Sequence, residues 1–247
     1  MKKLLQLIFL TLLIFSCRKS DEKPTNTEIG SSLVDLTAVE TVIRKKESLL
    51  ANFVCDALKE SFEGKGEVID FVLINAGNIR YNSQLRPDGI YKKEMLTAEM
   101  MDEILPFQNS SSIVQLTGSE IKIILERAVA QYPIAKGPFM QCSSGFSFRI
   151  DTLANPQLLN IDETVIQTNG QRIELMTLNG VTIVPTNIYK VLLSDYIAEG
   201  NDGFVTLKYL NLSLKRYFED NQSSALKDYV LLNSPINPQL EGRIIFK

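Results

Sequence analysis

The sequence contains no histidine and no tryptophan, and it has only 3 cysteines in 247 residues. Without histidine, neither a Ser-His nor a Cys-His nucleophile pair can form, and no histidine metal ligand is available. The commonest general acid or base at neutral pH is missing as well. Most hydrolase mechanisms are therefore excluded for this chain acting alone. Carboxylate chemistry remains, and so does support of another protein's active site.

The chain also lacks a strong charge of either sign. Its 26 basic and 29 acidic side chains give a net charge of −3. Binding along a nucleic-acid backbone needs a strong basic field, so no nucleic-acid partner is expected. With 45% apolar and 22% charged residues, the composition is that of a globular protein rather than a disordered, collagen-like or disulfide-rich chain.

The N-terminus has the pattern of an export signal. Met1-Lys2-Lys3 precedes an apolar run over residues 4–15, which is too short to span a bilayer. The sequence Ile14-Phe15-Ser16-Cys17 resembles the lipobox of bacterial lipoproteins. Residues 1–16 are therefore predicted to be a lipoprotein signal peptide, with Cys17 lipidated. The alternative is an ordinary cleaved signal followed by a chance cysteine.

This pattern sets the expected location and domain organisation. The chain is predicted to lie in the bacterial cell envelope, lipid-anchored at the outer membrane on its periplasmic or surface face. Residues 17–32 are polar beyond the cysteine and are predicted to form a flexible tether to a domain over 33–247. In an oxidising compartment, Cys55 and Cys142 either form one disulfide or remain two buried thiols, and the sequence leaves both open.

The rest of the chain mixes predicted helices and strands irregularly. Apolar spacing predicts a helix from Leu33 to about Phe62, and Val68–Ile74 reads as a strand buried on both faces. Shorter strands and helices follow without a regular alternation. The pattern predicts an α+β fold, in which a mixed sheet packs with helices.

Two clusters of candidate functional residues follow predicted regular elements. Asn75-Ala76-Gly77-Asn78-Ile79-Arg80 comes directly after the buried strand. Its glycine allows a ligand to approach the backbone, and its arginine offers a fork for phosphate or carboxylate. In Leu105-Pro106-Phe107-Gln108-Asn109, the phenylalanine is either a small core contact or a stacking platform. On its own, each cluster is read more simply as a structural turn or a core contact.

Two further clusters are weaker when taken singly. The loop Asp195–Phe204 contains Gly-Asn-Asp-Gly, which is either a tight turn or a frame that presents Asp202 beside Tyr196 to sugar hydroxyls. Arg44-Lys45-Lys46-Glu47-Ser48, with Asn52 further along, is normally the solvated face of a helix.

Together these clusters resemble the C-terminal, substrate-recognising domain of the 5'-nucleotidase / UDP-sugar hydrolase family. The resemblance runs from about Thr41 to Lys247, and its order and spacing carry more weight than any single motif. The matching motifs are the helix Glu47 to Leu58, the Asn-x-Gly-x-Ile-Arg turn, the Leu-Pro-Phe loop, Leu116-Thr117-Gly118, Gly145, the Gly-x-Asp-Gly-Phe loop and Glu241-Gly242-Arg243-Ile244.

The resemblance implies a site for a nucleobase. In the family two aromatic rings clamp the base, and the matching positions are Phe107 and Tyr196. Asn75, in the turn with Gly77, matches the residue that recognises the edge of the base, and Asn109 would supply a second polar contact.

The resemblance also implies sites for the phosphate and the sugar. Arg44 and Arg80 match the arginines that hold the phosphates, and Asp202 matches the carboxylate that holds the ribose hydroxyls. Three positions depart from the family pattern. Ala76 and Asn78 stand where many relatives have a Gly-rich turn, and Asn201 stands where relatives more often have glycine. Asparagine tolerates left-handed backbone, so the turns are expected to survive.

Catalysis in the family belongs to a separate metallophosphoesterase domain that binds two metals through His, Asp and Asn. This chain has no histidine, and we expect it to bind no metal cofactor and to be inactive alone. The leading hypothesis is the nucleotide-binding half of a split 5'-nucleotidase, with the metals in a separately encoded metallophosphatase partner and a role in nucleotide catabolism. The alternatives are a non-catalytic, lipid-anchored nucleotide- or nucleoside-binding protein and a degenerate domain kept for structure or interaction.

Overall fold

The computed structural model describes residues 27–247. The predicted signal peptide, Cys17 and the first part of the predicted tether lie outside these residues. No helix between residues 27 and 247 combines the length and the apolar character needed to cross a membrane.

The strands of the described part are short. In chain order they are β1 (Glu28–Ser32), β2 (Leu36–Thr37), β3 (Phe71–Asn75), β4 (Ile90–Tyr91), β5 (Glu94–Thr97), β6 (Ser110–Thr117), β7 (Met140–Cys142), β8 (Phe146–Ile150), β9 (Leu158–Leu159), β10 (Ile166–Thr168), β11 (Ile173–Leu178), β12 (Val181–Thr182), β13 (Ile188–Ser194), β14 (Lys215–Asn221) and β15 (Ile244–Phe246). The helices are α1 (Glu40–Ile43), α2 (Leu49–Gly64), α3 (Ala98–Ile104), α4 (Gly118–Val129), α5 (Asp195–Ala198), α6 (Val205–Lys208) and α7 (Gln222–Asn233), with 3₁₀ turns at Ala76–Asn78 and Leu212–Leu214.

A mixed five-stranded sheet is the centre of the fold. Its order is β14-β6-β13-β3-β7, with β13 parallel to β3 and the other pairs antiparallel. Every residue of β3 is buried, as its nearly continuous apolar run predicts. Helix α2 packs against β3 and β7, and α4 packs against β6 and β7. The α+β prediction, a mixed sheet packed with helices, is confirmed.

A second sheet joins the first through aromatic side chains. Its order is β12-β11-β8-β15. Phe71 on β3 stacks on Phe146 of β8, with ring centroids 3.9 Å apart and planes 11° from parallel. Offset stacking of this kind adds to the free energy of area burial. The two sheets therefore share one apolar core.

The long helix α2 begins later than the sequence predicts. The side chain of Ser48 accepts a hydrogen bond from the backbone N–H of Ala51 and so caps the helix at its first turn. Upstream, residues 33–48 form β2, α1 and turns rather than one helix, so the prediction of a helix from Leu33 is wrong for that stretch. Thr37 pairs with Ile90, so this part of the segment is a strand and not a helix.

The fold also begins earlier than the predicted domain boundary. Glu28–Ser32 forms β1 and pairs antiparallel with β5. The Ser31 N–H donates to the Ser234 hydroxyl over 2.8 Å, and Leu33 N–H donates to Ile236 O over 2.9 Å. The prediction of a flexible tether is therefore wrong for Glu28–Ser32, which forms β1. This polar strand is ordered by backbone hydrogen bonds, which cannot be predicted from the pattern of its side chains.

The two cysteines of the described part are free, fully buried thiols. Cys55 lies on α2 and Cys142 on β7. Burial, followed by the charge of the neighbouring Cys142, raises the pKa of the Cys55 thiol, and burial likewise raises the pKa of Cys142. Raised pKa values keep both groups in the protonated, unreactive form.

Glu47 and Asn52 have a structural role in the folded chain. Oε1 of Glu47 accepts from Asn52 Nδ2 over 2.7 Å and from the Glu241 N–H over 2.8 Å. Its Oε2 accepts from the Arg243 N–H over 2.9 Å. Asn52 Nδ2 also donates to Gln239 O over 2.7 Å. These residues fasten the C-terminal segment to α2, so the interpretation of this cluster as a solvated helix face is wrong for both.

Candidate ligand-binding site

A cavity of about 490 Å³ lies where β3 ends. It brings together residues from distant parts of the chain: Arg44, Asn75, Gly77, Asn78, Arg80, Phe107, Asn109, Gly137, Pro138, Tyr196 and Asp202. All eight residues that the sequence singles out as candidate ligand contacts are among them. Sequence reasoning did not select Asn78, Gly137 and Pro138 as lining residues.

The turn after β3 forms one wall of the cavity. Ala76 N–H donates to Phe139 O over 2.7 Å, and Gly77 N–H donates to Gly137 O over 2.8 Å. A Cβ added to Gly77 would lie 3.0 Å from the Gly137 Cα, so the close approach of the two backbones requires glycine at 77. The Gly137-Pro138 pair is a turn signal that would have located the second wall.

Buried amide groups orient the polar side of the cavity. Asn109 Nδ2 donates to Asn78 Oδ1 over 3.0 Å, and Asn78 Nδ2 donates to Gln222 Oε1 over 2.9 Å. Gln222 Nε2 in turn donates to the Ser111 hydroxyl over 3.0 Å. Asn78 lies in the 3₁₀ turn and does not adopt the left-handed backbone considered for it. Its side chain instead orients the side-chain amide of Asn109, which lines the cavity.

Asn75 is a second amide at the cavity. Only 4% of its surface is exposed. Its Nδ2 lies 3.5 Å from Asp202 Oδ2. Its Oδ1 is buried and accepts no hydrogen bond from the residues that the structure describes. A buried acceptor without a donor is costly in free energy, and a hydrogen-bond donor on a ligand in the cavity could pair with this atom.

Two arginines approach each other at the cavity. Burial lowers the pKa of Arg80, and the positive charge of Arg44 lowers it further. Arg44 forms an ion pair with Glu40 at 2.5 Å, while its Nε is buried and has no partner among residues 27–247. Like charges held this close are relieved by an anion between them. The pair therefore has the properties of a phosphate or carboxylate site.

Two exposed aromatic rings belong to the same cavity. Phe107 is 53% exposed and Tyr196 is 39% exposed, unlike the buried rings of the core. The interpretation of Phe107 as a core contact is therefore wrong. Its ring centroid lies 5.1 Å from the Arg80 guanidinium, in a cation–π arrangement. Exposed rings lining one cavity can stack on a flat ligand.

The carboxylate of Asp202 is held from two sides. The Tyr196 hydroxyl donates to Asp202 Oδ1 over 2.9 Å. Burial and this hydrogen bond both raise the pKa of Tyr196. The left-handed residues of the loop are Gly200, Asp202 (φ +57°) and Gly203, and Asn201 is not among them. Asn201 Nδ2 instead donates to Tyr196 O over 2.8 Å and braces the loop.

The cavity thus offers two cations, two rings, amides and one carboxylate. Within residues 27–247, no three His, Cys, Asp or Glu side chains lie close enough together to hold a metal ion. The donor set suits a ligand that combines an anion, a flat ring and hydroxyl groups.

Known proteins are similar to most of this chain. The family model described as the 5'-nucleotidase C-terminal domain matches residues 28–209. The chain is 27% identical over 226 residues to the 5'-nucleotidase of Bos taurus, covering 89% of this chain and 37% of the relative. It is 27% identical over 228 residues to the snake venom 5'-nucleotidase of Naja atra, covering 90% and 41%. The chain therefore spans about two fifths of the length of these relatives.

Solved structures show the same fold. A 5'-nucleotidase precursor from Thermus thermophilus superposes with a TM-score of 0.74 at 26% identity, covering 89% of this chain and 39% of that one. The NAD nucleotidase of Haemophilus influenzae superposes with a TM-score of 0.64 at 15% identity, covering 90% and 37%. The second likeness is one of fold alone.

Proposed function

The chain belongs to the 5'-nucleotidase C-terminal domain family, and from this premise we propose that its cavity binds a nucleotide. In this proposal the chain is the substrate-recognising half of a split 5'-nucleotidase in nucleotide catabolism. A separately encoded metallophosphatase supplies the metals. One observation carries the proposal: all eight predicted contact residues line the same cavity.

The parts of a nucleotide match the groups of the cavity. The base stacks on Phe107 and Tyr196, each partly exposed and free to accept a ring. The phosphate binds between Arg44 and Arg80, whose charges converge. The ribose hydroxyls donate to Asp202, whose carboxylate is already ordered by Tyr196.

Hydrolysis is assigned to a partner protein because of the ligands available in this chain. A metal centre with histidine ligands cannot be built from a sequence without histidine. Gripping the phosphate with two arginines is most useful beside the chemistry that cleaves it. Lipidation at Cys17 and a location in the bacterial cell envelope remain predictions from the sequence.

Replacing Phe107 with alanine is expected to weaken adenosine binding roughly 5- to 150-fold, because stacking contributes about 1–3 kcal/mol per base. Phe107→Tyr keeps a ring and should bind adenosine nearly as well as the wild type. Tyr209→Ala removes an exposed ring outside the cavity and serves as the control. Calorimetric titration measures all three. Unchanged adenosine affinity in Phe107→Ala would rule out the ring as a platform.

Reconstitution tests the split enzyme. Phosphate release from AMP is measured with Mn²⁺ or Zn²⁺ for the chain alone, for each metallophosphatase encoded in the same genome, and for each mixture. We expect activity above the sum of the components in one mixture only. If no mixture exceeds that sum while the chain still binds AMP, the non-catalytic nucleotide-binding protein replaces the split enzyme. If the chain binds no nucleotide either, the degenerate domain is the remaining explanation.

A further inference from the structure

A buried arginine stands directly behind the Asp202 loop, outside the cavity lining. Arg127 lies on α4 and is 9% exposed. Its Nε donates to the backbone oxygen of Asp202 over 2.9 Å. Its Nη2 pairs with Glu163 Oε1 over 3.1 Å, on the segment between β9 and β10. The side chain thus links α4, the 158–168 hairpin and the loop that carries Asp202.

The loop is shaped to receive this guanidinium. Gly203 has φ +77°, and a Cβ added there would lie 2.6–2.8 Å from the Nη2, Nε and Cζ atoms of Arg127. A side chain at position 203 would displace the guanidinium, whereas glycine lets the planar group pack on the loop backbone. Asp202 itself has φ +57°, a conformation that costs free energy in a residue with a side chain. A strained residue of this kind persists only when its surroundings hold it.

The atom of Asp202 that Arg127 contacts determines whether the carboxylate can still bind a ligand. Arg127 donates to the main-chain oxygen of Asp202, and not to the carboxylate. Arg127 therefore occupies neither carboxylate oxygen: Oδ1 accepts from the Tyr196 hydroxyl, and Oδ2 lies 3.5 Å from Asn75 Nδ2. An arginine bound to the carboxylate would compete with ligand hydroxyls, whereas one bound to the backbone fixes the carboxylate without occupying it.

We infer that Arg127 is a positioning residue: by holding the left-handed Asp202-Gly203 backbone, it sets the specificity of the cavity for ligands with sugar hydroxyls. Glu163 accepts a hydrogen bond from Arg127 Nη2 over 3.1 Å and so helps to hold the guanidinium against the loop. The ligand named in this inference rests on the proposed function. The positioning of Asp202 by Arg127 rests on the loop geometry alone.

The test compares adenosine with 2′,3′-dideoxyadenosine, which lacks the hydroxyls. In Arg127→Ala we expect adenosine affinity to fall roughly 10- to 100-fold, because hydrogen bonds to the Asp202 carboxylate are lost. Dideoxyadenosine affinity should change less than about twofold, since both stacking rings remain and Arg127 itself does not line the cavity. Arg127→Lys, which keeps a donor near the Asp202 carbonyl, should recover part of the preference. An equal loss for both ligands, or no loss, would overturn the inference.

The matched control is Arg86→Ala. Arg86 is a similarly buried arginine with one acidic partner, Glu103, and it makes no contact with residues 200–203 in the described structure. It should leave the adenosine-to-dideoxyadenosine ratio unchanged. If Arg127→Ala does not fold, Glu163→Gln loosens the same guanidinium more gently. It should lower the ratio in the same direction, and an unchanged ratio would count against the inference.

A second readout needs no ligand. Burial and the contact with Asp202 raise the pKa of Tyr196. Displacing Asp202 in Arg127→Ala should move this pKa back towards the ordinary value of tyrosine, measured by ultraviolet titration against a Tyr196→Phe reference. If the wild type binds neither nucleoside, the proposed function fails and the sugar specificity fails with it, but this titration still decides whether Arg127 positions Asp202. An unchanged Tyr196 pKa would then overturn it.

Discussion

Replacing both Arg44 and Arg80 with alanine is expected to weaken AMP binding at least about 100-fold. A hydrogen bond to a charged group contributes about 1.5–3 kcal/mol, and two arginines that share one phosphate lose this contribution twice. Burial, followed by the positive charge of Arg44, lowers the pKa of Arg80 in the free cavity, and a phosphate bound beside both arginines would offset the repulsion between them. Adenosine has no phosphate, so its affinity should change less than about threefold.

Calorimetric titration at one fixed ionic strength measures both ligands. The matched control is the double variant Arg149→Ala/Arg216→Ala, which removes the same charge from two exposed positions outside the cavity. It should leave AMP affinity nearly intact, because exposed distant charges are screened by salt. Parallel losses for AMP and adenosine would show that the arginines support the fold of the cavity rather than the phosphate. An equal loss of AMP affinity in the control would show that AMP responds only to the overall electrostatic field of the chain.

Replacing Arg243 with alanine is expected to cost about 3 kcal/mol of the free energy of unfolding, the low end for breaking a buried ion pair, because the Asp56 side chain left without its partner is 26% exposed. Arg243 is 3% exposed and pairs with Asp56 through two hydrogen bonds, of 2.9 and 2.6 Å. It also donates to Cys142 O over 2.9 Å. Burial acts to lower the pKa of Arg243, but the hydrogen bond and charge of Asp56 outweigh it and raise the pKa. The pair therefore joins the C-terminal segment to α2 and β7.

Urea unfolding followed by circular dichroism measures this loss. Lys247→Ala removes an exposed ion pair with Glu174 at the same end of the chain and should cost less than about 1 kcal/mol. Replacing both partners with apolar residues, Asp56→Leu/Arg243→Met, should recover much of the stability because no buried charge remains. A loss below about 1 kcal/mol in Arg243→Ala would contradict the structural role assigned to the pair.

The fold could be predicted where apolar periodicity is strong. The continuous apolar run before Asn75 indicates a buried strand, and the Thr117 capping box marks the start of α4. β1 could not be predicted from apolar periodicity, because its polar residues are ordered by backbone pairing with β5. The stretch before Ser48 could not be predicted in this way either, since a run of charged residues fits a helix as well as a turn.

The site could be predicted where its residues lie in short motifs. The turn at Asn75–Arg80 and the loop around Asp202 carry their own sequence signals, and the structure brings both to one cavity. Gly137 and Arg127 were missed because their roles exist only across the fold. Arg127 reaches an oxygen 75 residues away, and no local pattern in α4 distinguishes it from a surface arginine.

Calorimetric titration of the purified 247-residue chain with AMP, adenosine and UDP-glucose tests most directly whether the cavity is a nucleotide site. We predict one site per chain, with AMP bound at least about tenfold more tightly than adenosine because of the two arginines. The same samples should release no phosphate with Mn²⁺ or Zn²⁺ unless a partner is added. A folded chain that binds none of the three ligands, or that binds adenosine and AMP equally, would contradict the assignment of the cavity.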